Sequence, residues 1–115
     1  MVECKKDILL SELLKALSDT TRRELLTHLC QQGPSRVTDL ANNYDMSLNA
    51  ISKHIKVLEK AGLVTRQNLG RTHWIRADLK KIKLIENWTN KLKSIWELRL
   101  DKLNDIIQNG EKDHD

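Results

Sequence analysis

Apolar residues recur along most of this chain with the period of an α-helix, and the clearest case lies in its middle. Stepping about 100° per residue from a start after Ser47 puts Leu48, Ile51, Ile55 and Leu58 on one side. Asn49, Lys53, Lys56 and Lys60 fall opposite, with Ser52 at the edge. Ser47 is a suitable N-cap and Gly62 a suitable stop, so a helix is predicted over 47–61. Three more periodic runs precede it. One spans 7–17 (Ile8, Leu9, Leu13, Leu14, Leu17) and one 20–32 (Leu25, Leu26, Leu29, Cys30), the latter capped by Asp19 and ended by Gly33-Pro34. A short one covers 36–43 (Val37, Leu40, Ala41). A long last helix is expected over 79–108, with a stripe of Ile85, Trp88, Leu92, Ile95, Trp96, Leu103, Ile106 and Ile107.

Between the last two helices the pattern changes. Residues 63–67 and 72–76 read as two strands joined at Asn68-Leu69-Gly70-Arg71, with Gly70 supplying the tight tip of a hairpin. The predicted fold is therefore mainly α with a small β-hairpin. Residues 36–61 form a helix-turn-helix, turning at Tyr44-Asp45-Met46, and residues 63–76 form a wing.

Charge sharpens this picture. Residues 47–76 hold six basic side chains (Lys53, Lys56, Lys60, Arg66, Arg71, Arg76) against Glu59 alone, a balance of +5. The whole chain carries +4, which leaves −1 on the other 85 residues. A basic balance concentrated on one helix and its wing is the footprint of polyanion binding. Asparagine pairs with adenine edges, and lysine reaches guanine edges or phosphates. Double-stranded DNA is thus the expected ligand. Ser47, Asn49, Ser52, Lys53, Lys56, Lys60, Arg66 and Arg71 are the candidate contacts, Arg71 at the tip being suited to a narrow minor groove. His54 projects nearer the apolar flank and reads as structural.

Four segments carry a family resemblance: Ala16-Leu17-Ser18-Asp19-Thr20-Thr21-Arg22-Arg23-Glu24-Leu25-Leu26, Ile51-Ser52-Lys53-His54-Ile55-Lys56-Val57-Leu58, Ala61-Gly62-Leu63-Val64 and Gly70-Arg71. Their order and spacing resemble the ArsR/SmtB family of winged-helix repressors over roughly residues 8–107. Thr20 departs from the proline that many members place first in this helix, a position that tolerates either. The resemblance implies a homodimeric repressor that pairs through its first and last helices and binds a palindromic promoter site. Leu9, Leu13, Trp88, Leu92, Ile95, Trp96, Arg99 and Leu103 are then the dimerisation candidates. Arg99 falls in the middle of the apolar stripe, where a charge needs a carboxylate; Glu86, Glu97 or Asp101 of either subunit could supply it.

The resemblance also implies metal ligands that this chain lacks. Where relatives have Cys-Val-Cys-Asp-Leu in the third helix, this chain has Arg36-Val37-Thr38-Asp39-Leu40, and its last helix contains no histidine. His28, His54, His73 and His114 are scattered one per element, so no metal and no cofactor are expected. The acidic tail Glu111 to Asp115 reads as a frayed terminus, within a flexible tail over 109–115. A protein partner, a small molecule or simple abundance remains as the release signal.

Composition sets the outer bounds. A chain of 115 residues is one domain by size, and with no Phe, one Tyr and three Trp its core must be mostly Leu and Ile. No nucleophile motif, glycine-rich phosphate loop or paired His-carboxylate spacing supports an enzyme. No apolar run approaches the ~20 residues of a membrane span and no signal-peptide order opens the chain, so a cytoplasmic protein without a membrane partner is expected. Cys4 and Cys30 are too few for a disulfide scaffold, and Cys30 reads as a small core residue. The competing readings are a winged helix that binds an acidic protein with the same face, and a redox- or metal-responsive repressor whose sensor site has no recognised motif.

Overall fold

The computed structural model describes residues 5–113, except for the side chains of Lys6 and of residues 110–113. In chain order it contains α1 (Lys5–Ala16), α2 (Thr20–Gln32), β1 (Ser35–Arg36), α3 (Val37–Asn43), α4 (Leu48–Lys60), β2 (Val64–Leu69), β3 (Thr72–Ala77) and α5 (Ile82–Asp113). The chain divides after Ile85 into two units. The first holds the core; the second is the remainder of α5, where every described side chain except Thr89 is at least one-third exposed.

The helices begin and end where local chemistry dictates. Asp19 has extended backbone and accepts the Arg22 N–H at 3.1 Å, and Ser47 does the same for the Ala50 N–H at 3.1 Å, each satisfying an otherwise orphaned donor. Gly33 closes α2 at φ 81°, its N–H bound to the Leu29 carbonyl at 2.9 Å. Between α3 and α4 the tight turn takes Asp45 to φ 50°, a conformation that aspartate accepts better than most residues.

Gly62 ends α4 in a Schellman arrangement: the Leu63 N–H reaches Leu58 O at 2.9 Å, the Gly62 N–H reaches Glu59 O at 3.0 Å, and Leu58 and Leu63 are both fully buried. Its φ is +80°, and an added Cβ would stand 2.6 Å from Lys81 Nζ. Gly62→Ala is therefore expected to cost about 1–2 kcal/mol in denaturant unfolding, mostly from the left-handed backbone, because the lysine end can swing away.

Leu13, Leu25, Leu40, Ile51, Ile55, Leu58, Leu63 and Ile75 have no solvent exposure and join α1, α2, α3, α4 and the sheet in one aliphatic core. Ile82, Leu84 and Ile85, from the opening of α5, pack against it. The sheet has three antiparallel strands in the order β1-β3-β2. β1 was not foreseen from the hydrophobic pattern because two polar residues have no readable period. It pairs Ser35 with Ile75 and Arg36 with Trp74.

Other boundaries and placements also differ from the sequence reading. The hairpin pairs all the way to Leu69 and Thr72, leaving a two-residue turn of Gly70 (φ 65°) and Arg71 in place of a four-residue tip. α5 starts at Ile82 because Asp78 and Leu79 are spent on a turn, with Asp78 Oδ1 accepting the Lys80 N–H at 3.1 Å. It continues to Asp113, into the segment expected to be a tail; the side chains of Glu111 to Asp113, and residues 114–115 altogether, lie outside the described residues, as does Cys4.

Three side chains change roles. Leu13 is consumed by the chain's own core and leaves the set of surface dimer candidates, whereas Ile8 and Leu14 keep exposed apolar surface on α1. Leu48 is 52% exposed, because the first turn of α4 projects past the end of the core. Cys30 is exposed, since it lies roughly a quarter turn from the Leu25–Leu29 face, at the end of α2.

Candidate nucleic-acid interface

α4 is strongly two-faced. Ile51, Ile55 and Leu58 are fully buried, while Asn49, Lys53, Lys56 and Lys60 are exposed on the opposite side. This face therefore offers one amide and three ammonium groups along a helix of 13 residues. The helix is fixed from behind by its core contacts, so these groups project from a rigid support, which is what a base-reading surface requires.

The flank of α4 turned toward the wing forms an open cleft of about 370 Å³ lined by Leu48, Ser52, Arg66, Arg71, Thr72 and His73, with Arg36, Val37 and Thr38 at its other wall. Three of the expected contacts, Ser52, Arg66 and Arg71, are thus brought together in one place. Ser47 is occupied as the cap of α4, its hydroxyl oxygen already accepting the Ala50 N–H. Arg66 is partly committed too: its Nε stands 3.6 Å from Glu59 Oε2, and its side chain is only 23% exposed. It contributes less free charge than Arg71, which is exposed at the turn.

Arg36, Thr38, Thr72 and His73 belong to the cleft but escaped the sequence reading. Arg36 and Thr38 reach it because β1 pairs with β3, a contact the hydrophobic pattern did not carry. Arg36 is held by Asp39, Nε to Oδ2 at 2.9 Å and Nη2 to Oδ1 at 3.3 Å. His73 Nδ1 lies 2.6 Å from Asn68 Oδ1 across the hairpin, in the register that pairs these two residues. That register could have been inferred from the two-residue turn.

Behind the basic face sits a small polar cluster. His54 is half-buried on the flank away from the wing, with Nδ1 3.4 Å from Arg22 Nη1 and 3.9 Å from Asp19 Oδ2. The Asp19 carboxyl is held below its ordinary 3.8, first by the Arg22 backbone N–H it accepts, against some desolvation, and then by the Arg22 and His54 charges. A depressed carboxyl stabilises the fold above its unfolded pKa, and that stability is lost as pH falls through the folded value. Asp19→Asn keeps a capping oxygen but removes the charge. The wild type is therefore expected to be the more stable of the two near neutrality, with the gap closing below pH 3.8 in urea unfolding measured across an acid series.

Among the described residues, no three His, Cys, Asp or Glu side chains gather as a metal-ligand set, and no helix is long and apolar enough to cross a membrane.

Residues 19–66 match the family model described as bacterial regulatory protein, arsR family. The arsenical resistance operon repressor of Bacillus subtilis (strain 168) is 35% identical over 81 residues, covering 69% of this chain and 75% of that protein. A crystal structure of an ArsR family transcriptional regulator superposes with a TM-score of 0.74 at 31% identity, over 84% of this chain and 97% of the other. An ArsR-like transcriptional regulator from Rhodococcus sp. RHA1 gives a TM-score of 0.77 at 29% identity, over 90% and 96%.

Proposed function

Because the chain belongs to the arsR family of bacterial regulatory proteins and is a DNA-binding transcriptional regulator, we propose that it acts as a homodimeric repressor that reads a palindromic promoter site with α4 in the major groove. The observation that carries this reading is the exposed Asn49, Lys53, Lys56 and Lys60 face of α4, bordered by the cleft that Ser52 shares with Arg66 and Arg71. Asn49 reads a base, the three lysines anchor phosphates or guanine edges, and Arg71 follows the minor groove beside them. Leu48, exposed at the start of α4, adds an apolar contact of the kind that suits a thymine methyl. Occupation of the promoter then blocks polymerase.

A dimer is part of this proposal on two grounds. Trp88, Leu92, Ile95, Trp96 and Leu103 leave one stripe of α5 exposed and apolar, and a palindrome is read by a protein two-fold. Leu9, half-buried on α1, keeps its place among the interface residues. Arg99 within the stripe pairs with a carboxylate across the dimer. The release signal is a protein partner or a small molecule that needs no thiolate ligands, since Arg36 and Thr38 stand in place of the cysteines the resemblance implies, and Arg36 is tied to Asp39.

Selection of bound duplexes from a random pool tests the proposal. Enrichment of an inverted repeat with half-sites about 10 base pairs apart is expected. Uniform weak retention of all sequences would overturn it and turn the basic face toward an acidic protein partner.

A further inference from the structure

Arg22 joins three elements through one side chain. Its Nε donates to Ala16 O at 2.6 Å and its Nη2 to Lys15 O at 3.2 Å, so it closes the C-terminal carbonyls of α1, which have no partners within their own helix. Its remaining terminal nitrogen, Nη1, faces His54 Nδ1 on α4 at 3.4 Å. Its own backbone N–H is meanwhile fixed to the Asp19 carboxylate that caps α2. A guanidinium is suited to this task because its donors sit in a rigid planar fork, so holding two carbonyls determines where the third donor points.

From this geometry we infer that Arg22, acting through His54, is a positioning residue for DNA reading: it sets the lie of α4 against the end of α1. The inference rests on the DNA-reading role proposed for α4. His54 projects from the flank of α4, away from the cleft, whereas Lys53 and Lys56 beside it are exposed on the basic face. The contact between Arg22 and His54 therefore touches no nucleic acid and still fixes the rotation of the helix that does. A guanidinium only donates, so Nδ1 is the acceptor side of this contact. A movement of the α1 terminus is transmitted to α4 through the fork, which couples whatever α1 touches to the DNA-reading face.

The coupling is tested by a double-mutant cycle read on DNA affinity, using a duplex selected as above and a scrambled duplex, with folding of each variant checked by urea unfolding. Arg22→Lys keeps a charge and one donor to α1 but loses the fork, and His54→Phe keeps the ring volume but loses the acceptor. Each is expected to lower affinity for the selected duplex by about fivefold to tenfold, with little change on the scrambled one, and the double variant to be no worse than either single. His54→Asn, which returns an acceptor near the Nδ1 position, restores binding. Additive losses, equal losses on both duplexes, or a His54→Asn that behaves like His54→Phe would each overturn the inference. Lys56→Ala, run in the same assay, separates the two levels. If it leaves binding unchanged, the DNA-reading role of α4 fails and takes this inference with it; if it weakens binding while the cycle is additive or the single variants bind as the wild type does, only the Arg22 coupling falls.

Discussion

Replacing Lys53, Lys56 and Lys60 together by alanine is expected to weaken DNA binding by roughly two orders of magnitude per half-site at physiological salt, and to flatten the dependence of log K on log salt by about three per half-site, both effects doubling in the exponent for a dimer on its palindrome. Each lysine that neutralises a phosphate releases close to one condensed counterion. At ~0.15 M salt that release favours binding by a factor of about five per contact, and three such factors multiply in each half-site. Stability should change little, because all three side chains are exposed and make no ion pair among the described residues. Asn49→Ala should behave differently. It carries no charge, so the salt slope stays, while affinity for the selected site drops by about 1–3 kcal/mol and selectivity relaxes at one base pair. Filter binding or fluorescence anisotropy across a salt series distinguishes the two outcomes. If the triple variant and Asn49→Ala give the same change of slope, the division of this face into anchoring and reading residues is wrong.

The parts of this interface that could be read from the sequence are those that a single helix carries by itself. The buried and basic faces of α4 follow from a 100° step, and the caps at Asp19 and Ser47 and the stops at Gly33 and Gly62 follow from local backbone chemistry. Leu48 fails the same projection because a helical wheel has no ends: the residue is on the right side of α4 but beyond the last core contact. Cys30 fails for a different reason, standing about a quarter turn from the buried Leu25–Leu29 face near the end of α2. What periodicity cannot carry is a contact between elements. The pairing of Ser35 and Arg36 with β3, the ion pair of Arg66 with Glu59 and the reach of Arg22 to His54 all join residues of different elements. These three contacts decide which charges are free for DNA and which are already spent.

Placing a lysine at Ile95 is expected to weaken self-association by roughly 10²- to 10³-fold, and to reduce promoter binding to that of single half-sites. Ile95 lies in the exposed stripe with Trp88, Leu92, Trp96 and Leu103, and Trp96 alone is 63% exposed, an arrangement that leaves large aromatic and aliphatic surface in water unless another helix covers it. In a two-fold interface one substitution appears twice, so Ile95→Lys buries two unpaired ammonium groups against apolar neighbours, at a cost of about 3–5 kcal/mol for each charge that cannot escape to solvent. The figure given for association lies below the sum for two such charges, because lysine can extend its stem and carry the charge outward. Leu98 supplies the control. It is 61% exposed, yet it sits about a third of a turn from the centre of the stripe, so Leu98→Lys should leave association unchanged. Sedimentation equilibrium over a concentration series measures both. Arg99→Ala, which strands the carboxylate proposed to pair with it, should fall between them. Should Ile95→Lys and Leu98→Lys remain equally dimeric, the stripe on α5 is not the dimer interface, and its apolar face serves another partner.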